Sequence, residues 1–210
     1  MPAQIEFFFD LSSPWTCLAF HNLRPMMRER GVAIRWRPFL VGGVHNAVNR
    51  AYPEARQTQL SSPKWRQFAR SLYDWAALAG VTMSFPGPHF PLRSVHAMRF
   101  CCLLEDDPPA LERFAEAGFE AYYTRQENLD DPAVLVAVAD AAGFDGEALR
   151  ARSTEQPTKD HLRANTDEAI ARGAFGSPSI FVPFEGGERL YFGNDQLPLV
   201  AWALDRGRGG

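Results

Sequence analysis

The first 37 residues constrain the fold more than any other stretch of the chain. Ile5 to Phe9 is a short apolar run of β-favouring residues, the pattern of a buried strand. It ends in Asp10-Leu-Ser-Ser-Pro14, where Ser12 or Ser13 is placed to cap a helix and Pro14 suits the first helical position. Trp15, Leu18, Ala19, Leu23 and Met26 then recur at three-to-four spacing until Gly31 stops the helix. Val32 to Arg37 alternates apolar and polar side chains as a second strand does. Two strands flanking one helix of this length make a βαβ unit.

From about Ser61 to Gly173 the character changes to helices, expected over 63–80, 94–105, 109–123, 132–142, a short 146–153 piece and 165–172. Phe85-Pro-Gly-Pro-His-Phe-Pro91 and Asp106-Asp-Pro-Pro109 break them. Strand character returns at Ser179 to Pro183 and Arg189 to Phe192, with a turn around Glu185-Gly-Gly187 that predicts a hairpin. A last helix is expected from Asp195 to about Leu204. The order βαβ, helical block, αββα predicts an α/β, thioredoxin-like fold split by a helical insertion. Residues 1–60 and 174–210 form the thioredoxin-like domain in this reading, and 61–173 the helical insertion domain.

Composition narrows the function classes. Hydrophobic residues make up 46% of the 210 and charged residues 22%, the balance of a folding globular chain. The formal net charge is -3 and there is no basic run, so a nucleic-acid backbone has nothing to find. Neither a signal peptide nor a membrane-spanning apolar stretch is visible, which leads to the expectation of a soluble cytoplasmic protein without a membrane partner. Cys17, Cys101 and Cys102 are odd in number and lack C-x-x-C spacing, so no disulfide framework and no metal site is expected.

Three separated segments carry the chemistry. The first is Phe9-Asp-Leu-Ser-Ser-Pro-Trp-Thr-Cys17. A first βα turn of this kind holds C-x-x-C in thioredoxin-like oxidoreductases, where the helix N-terminus lowers a thiol pKa. Here the positions read Ser13-Pro14-Trp15-Thr16, and Cys17 lies one residue beyond the second, so dithiol exchange is excluded there. Ser13 is either a plain N-cap or a hydroxyl that donates to another molecule's thiolate at the positive helix end. The second segment is Gly173-Ala-Phe-Gly-Ser-Pro-Ser179, in which the Ser177-Pro178 bond is a candidate for the cis isomer or an ordinary loop proline. Exposed backbone groups beside it can pair with a bound peptide as a strand does. In the third, Phe192-Gly-Asn-Asp-Gln-Leu-Pro198, Asn194 and Asp195 either cap the last helix or hold a ligand ammonium.

Together these segments resemble the 2-hydroxychromene-2-carboxylate isomerases and the closely similar kappa-class glutathione transferases, nearly end to end. The pieces that carry the resemblance are Asp10-x-x-Ser-Pro14, Arg37-Pro-Phe-Leu-Val-Gly-Gly43, the Phe85-Pro…Phe90-Pro91 linker, Gly176-Ser-Pro178 and Gly193-Asn-Asp-Gln196. The resemblance implies glutathione as cofactor, with Ser13 bonding its sulfur and Ser177 before Pro178 pairing with the cysteinyl backbone. Gly193, Asn194, Asp195 and Gln196 would hold the γ-glutamyl end. It also implies a homodimer. In the substrate half, His45 or Asn46 stands where the family often has a lysine, Ser71 replaces an acidic residue and Gln196 an arginine. Asn49 and Arg50 are the polar pair expected to reach an acidic aromatic substrate, and His89 or Phe90 is expected to line its pocket. Three activities follow as expectations: a glutathione-dependent isomerase of a conjugated aromatic acid, a transferase that conjugates electrophiles, or a non-catalytic glutathione-binding module.

Overall fold

The computed structural model describes residues 4–48 and 62–207. Strand β1 (Gln4–Phe9), helix α1 (Pro14–Arg30) and strand β2 (Ala33–Pro38) form the βαβ unit, and α2 (Val41–Val48) follows directly. Helices α3 (Pro63–Ala79), α4 (Val95–Leu103), α5 (Pro108–Phe119), α6 (Pro132–Ala141), α7 (Gly146–Ser153) and α8 (Gln156–Ala171) come between β2 and the hairpin. The hairpin strands are β3 (Ser179–Phe184) and β4 (Gly187–Phe192), and α9 (Leu197–Gly207) closes the described chain. A single sheet runs in the order β2-β1-β3-β4, so the α/β thioredoxin-like arrangement read from the sequence is the one found. Among the described residues no helix is long and apolar enough to cross a membrane.

β1 lies inside the sheet, and both of its faces are buried, which is why Phe7-Phe8-Phe9 is a continuous apolar run rather than an alternating one. Phe7 and Phe9 meet Trp36 edge-on at 5.1 and 6.1 Å between ring centroids, in the core under α1. Phe8 faces the other way, against Phe39 and Phe181 beneath α2 and α8. Each of these fully buried rings contributes about 2 to 3 kcal/mol of apolar burial.

The register decides where the site forms. Phe9 pairs with Pro38 in parallel, Phe8 with Ser179 in antiparallel, and Ser179 with Phe192 across the hairpin. The end of β1, the start of β3 and the end of β4 therefore meet at one end of the sheet. Hairpin residues Glu185 and Gly186 both have positive φ, 48° and 79°, as a tight two-residue turn requires.

Three local expectations are corrected. α2 was not expected, since its Gly42-Gly43 pair weakens the helix signal; it forms because Val44 packs fully buried with Phe8, Phe39 and Phe181. The helix expected over 165–172 begins at Gln156, with Pro157 in its first turn. The helix expected to end at residue 123 stops at Phe119, and Glu120–Thr124 continues as a wider π-helical turn.

Candidate active site

Ser13 is the N-cap of α1, and its side chain accepts from Thr16 N at 3.3 Å. The backbone there is extended, and Pro14 takes the first helical position, where a missing N–H costs nothing. The same hydroxyl donates to the backbone carbonyl of Ser177 at 2.9 Å. Sequence positions 164 residues apart are thus brought together. The Ser177-Pro178 bond is cis.

The Ser177 side chain points inward, sharing a hydrogen with Thr16 Oγ1 at 2.7 Å and accepting from Asp10 N at 2.9 Å. Its backbone carbonyl is the group left facing Ser13. Asp10 is buried and accepts from Ser12 N and from Val41 N, each at 2.9 Å. Burial raises its carboxyl above the ordinary range, against the pull of these hydrogen bonds.

A cleft of about 440 Å³ opens over this floor. Its aromatic wall is Trp15, Trp65, Phe68, Phe85 and Phe90, with Trp65 stacked on Phe68 at 5.1 Å and Phe85 edge-on to Phe90 at 5.1 Å. Two basic side chains reach it, His45 from α2 and Lys64 from the start of α3. Gly176 and Phe192 complete the lining, and a Cβ at Gly176 would stand 2.5 Å from the Phe192 ring, so only glycine fits the present packing. A smaller groove of about 220 Å³, which contains the Arg24–Glu116 pair, shares none of these residues.

The remaining expected residues divide. His45 lines the cleft, whereas Asn46 is exposed and does not. Phe90 lines it too, but His89 does not: Phe90 takes the inward position against Phe85, and His89 is left exposed, its carbonyl accepting from Tyr122 Oη. Asn49 and Arg50 lie outside the described residues. Gly193, at φ 100°, bonds its N–H to the Pro178 carbonyl at 3.2 Å and so ties the third segment to the second. Asp195 is not a helix cap: Asn194–Gln196 is a 3₁₀ turn, and α9 starts at Leu197 with Pro198 second. Asn194 is buried, accepts from Asn22 Nδ2 at 2.9 Å, and keeps its Nδ2 without a partner among the described residues. Asp195 is exposed and accepts from Gln196 Nε2.

Sequence reading missed Trp15, Lys64, Trp65 and Phe68 as cleft residues. The three-residue spacing of Trp65 and Phe68 on one helix was the available signal. Lys64 has no ion-pair partner among the described residues.

The chain brings no thiolate of its own to the cleft. All three cysteines are free and buried; burial pushes the Cys17 thiol up to about 12 and raises the Cys101 and Cys102 thiols well above the ordinary thiol range. Cys102, Glu105 and His161 cluster closely enough for a metal, but Glu105 already takes a hydrogen bond from Asn165 Nδ2 at 2.7 Å and an ion-pair contact from Arg37 at 3.2 Å. Glu105 and His161 thus belong to an ion-pair network with Arg37.

The family model described as "DSBA-like thioredoxin domain" matches residues 4–205. Among curated proteins, glutathione S-transferase kappa 1 of Rattus norvegicus is 25% identical, covering 97% of this chain and 91% of its own. The 2-hydroxychromene-2-carboxylate isomerase of Sphingobium xenophagum is 26% identical, covering 98% and 100%. A solved 2-hydroxychromene-2-carboxylate isomerase superposes with a TM-score of 0.82 at 22% identity, covering 97% of this chain and 95% of its own, a likeness of fold.

Proposed function

The chain belongs to the DSBA-like thioredoxin domain family, and on that premise we propose that it is a glutathione-dependent isomerase of 2-hydroxychromene-2-carboxylate or a similar conjugated aromatic acid. The observation that carries the reading is the Ser13 hydroxyl facing the Ser177 carbonyl, with no cysteine at either redox position of the turn. A cysteinyl peptide in its thiolate form fits this pair. It offers an acceptor for the Ser13 hydroxyl and an amide N–H for the Ser177 carbonyl, the two groups now spent on each other.

When bound, glutathione supplies the thiolate nucleophile that adds to and leaves the conjugated substrate. The protein's part is to hold that charge. Ser13 swings its hydroxyl from Ser177 to the sulfur, and the N-terminus of α1 adds its positive field, both favouring the ionised thiol. Ser177 accepts the peptide N–H through its carbonyl, and Gly193, Asn194, Asp195 and Gln196 hold the γ-glutamyl end. Trp15, Trp65, Phe68, Phe85 and Phe90 exclude water and give a planar ring apolar faces to pack on. His45 and Lys64 supply counter-charge for carboxylates, with Asn49 and Arg50 as further candidates.

We assign 1–60 and 174–210 to the thioredoxin-like domain and 61–173 to the helical insertion. The enzyme works as a cytoplasmic homodimer, in the compartment that keeps glutathione reduced. A kappa-type transferase is the second reading, since relatives named for each activity match at similar identity.

The deciding experiment follows free thiol during turnover. The protein is incubated with glutathione and a hydroxychromene carboxylate, and separately with an aromatic electrophile. Isomerisation with the thiol count unchanged supports the isomerase. Stoichiometric thiol loss to the electrophile alone assigns the transferase, and binding without either reaction leaves a non-catalytic module.

A further inference from the structure

The turn that carries Ser13 is held by side chains from the helical segment between β2 and β3. Leu11, fully buried, sends its backbone N–H to Met98 Sδ of α4 at 3.3 Å. Its carbonyl accepts from Tyr123 Oη at 3.2 Å. A thioether is a weak acceptor, so the tyrosine hydroxyl is the firmer of the two holds.

Tyr123 lies in the π-helical turn Glu120–Thr124, a winding often found at functional sites. Two consecutive tyrosines there donate to two different loops: Tyr122 to the carbonyl of His89 at 3.2 Å, Tyr123 to that of Leu11. The Tyr123 ring is 1% exposed and is fixed between Phe119 at 6.3 Å and the cleft-wall ring Phe85 at 6.2 Å. Its hydroxyl therefore has little freedom to follow a shifting carbonyl. The Leu11 peptide group in turn lies inside the tight turn closed by Ser13 N to Asp10 O at 3.2 Å, so its orientation sets that of Ser12 and Ser13.

We infer that Tyr123 is a positioning residue for Ser13, acting through the Leu11 carbonyl to aim the hydroxyl at the helix N-terminus. The role of Ser13 as thiolate donor rests on the proposed function; the aiming of the turn does not. The removal of one hydroxyl from a buried tyrosine in the helical segment then changes the chemistry at Ser13, beyond its effect on folding.

The test uses a probe that needs no glutathione. Ser13→Cys places a thiol at the N-terminus of α1, where its pKa reports alignment with the helix end. The natural cysteines stay silent near neutral pH, because all three are buried and burial raises each thiol well above the ordinary range. Thiolate absorbance is titrated in Ser13→Cys alone and with Tyr123→Phe or Met98→Leu added. Tyr123→Phe is expected to raise the pKa by about half a unit or more, the scale of a helix-end interaction, and Met98→Leu to raise it less.

In a second arm, Tyr123→Phe in the natural chain lowers kcat with glutathione but gives no further loss in a Ser13→Ala background, as coupled residues do. An unchanged thiol pKa with a lowered melting temperature, or additive losses in the second arm, overturns the inference. A natural chain that shows no glutathione-dependent turnover overturns the proposed function instead, while the thiol titration still reads the effect of Tyr123.

Discussion

Replacing Ser13 by alanine separates capping from chemistry, because the structure assigns the hydroxyl two bonds of different consequence. As a cap it accepts from Thr16 N at 3.3 Å, a long bond, so its loss belongs at the lower part of the usual capping range, about 0.5 to 1 kcal/mol. Ser12 cannot take over, since it lies one position outside the helix and its own N–H is bound to Asp10. The Ser177 carbonyl also loses its donor, but it borders the cleft, where water can replace the hydroxyl at little cost. Folding should thus weaken by about 1 kcal/mol, a fall of roughly 2 to 4 °C in melting temperature for a chain of this size.

A hydrogen bond to the thiolate is charge-assisted and worth about 1.5 to 3 kcal/mol. Its loss raises the bound thiol pKa by about one to two units and slows a thiolate-limited reaction about ten- to a hundredfold near neutral pH. Thiolate absorbance of bound glutathione, calorimetric melting and turnover are measured on both proteins. A lowered melting temperature with an unchanged bound-thiol pKa refutes the reasoning and leaves Ser13 a cap.

Arg37→Met should cost about 3 to 5 kcal/mol in urea unfolding, because buried Arg37 is, among the described residues, the one cation that joins Glu6, Glu105 and Glu168, with Asn165 beside them, and its removal leaves three clustered carboxylates to the more exposed Arg172 and His161. His161 donates to Glu105, which raises its pKa; this stabilisation is complete below the unfolded value of about 6.5 and is lost as pH rises through the higher folded value. Melting temperature should therefore fall across that window in the natural chain and fall less in His161→Gln. Gly176→Ala drives a methyl into the Phe192 ring, 2.5 Å away, and should weaken glutathione binding in a calorimetric titration, with an overpacking cost of about 1 to 3 kcal/mol. Lys64→Ala, an exposed residue, should leave melting within about 0.5 kcal/mol yet reduce the affinity for carboxylate ligands, the difference shrinking as salt is raised.

The readable parts of this chain are those in which local chemistry has only one outcome. Ser13-Pro14 followed by apolar residues at helical spacing, then Gly31 at φ 60°, defines a helix whatever packs against it. Pro157 likewise marks a start, yet the expected helix begins nine residues late, because the polar stretch between Lys159 and Arg163 hides its periodicity. α2 shows the opposite case, a segment with weak helix preference that forms through burial of Val44. In the site, Ser13 and Ser177 were nameable from position along the chain, whereas His45 and Asn46, like His89 and Phe90, could not be told apart until the fold turned one of each pair into the cleft.

By itself the sequence determined the βαβ unit, the serine in place of a redox cysteine and the proline loop ahead of β3, since each depends on neighbours within a few residues. Tertiary structure alone decided that Ser13 meets the Ser177 carbonyl, that Lys64 and Trp65 reach the same cleft, and that Tyr123 holds the turn from 112 residues away. These pairings depend on strand register and on which face each helix turns inward, and both are settled by burial of the whole core rather than by any local run.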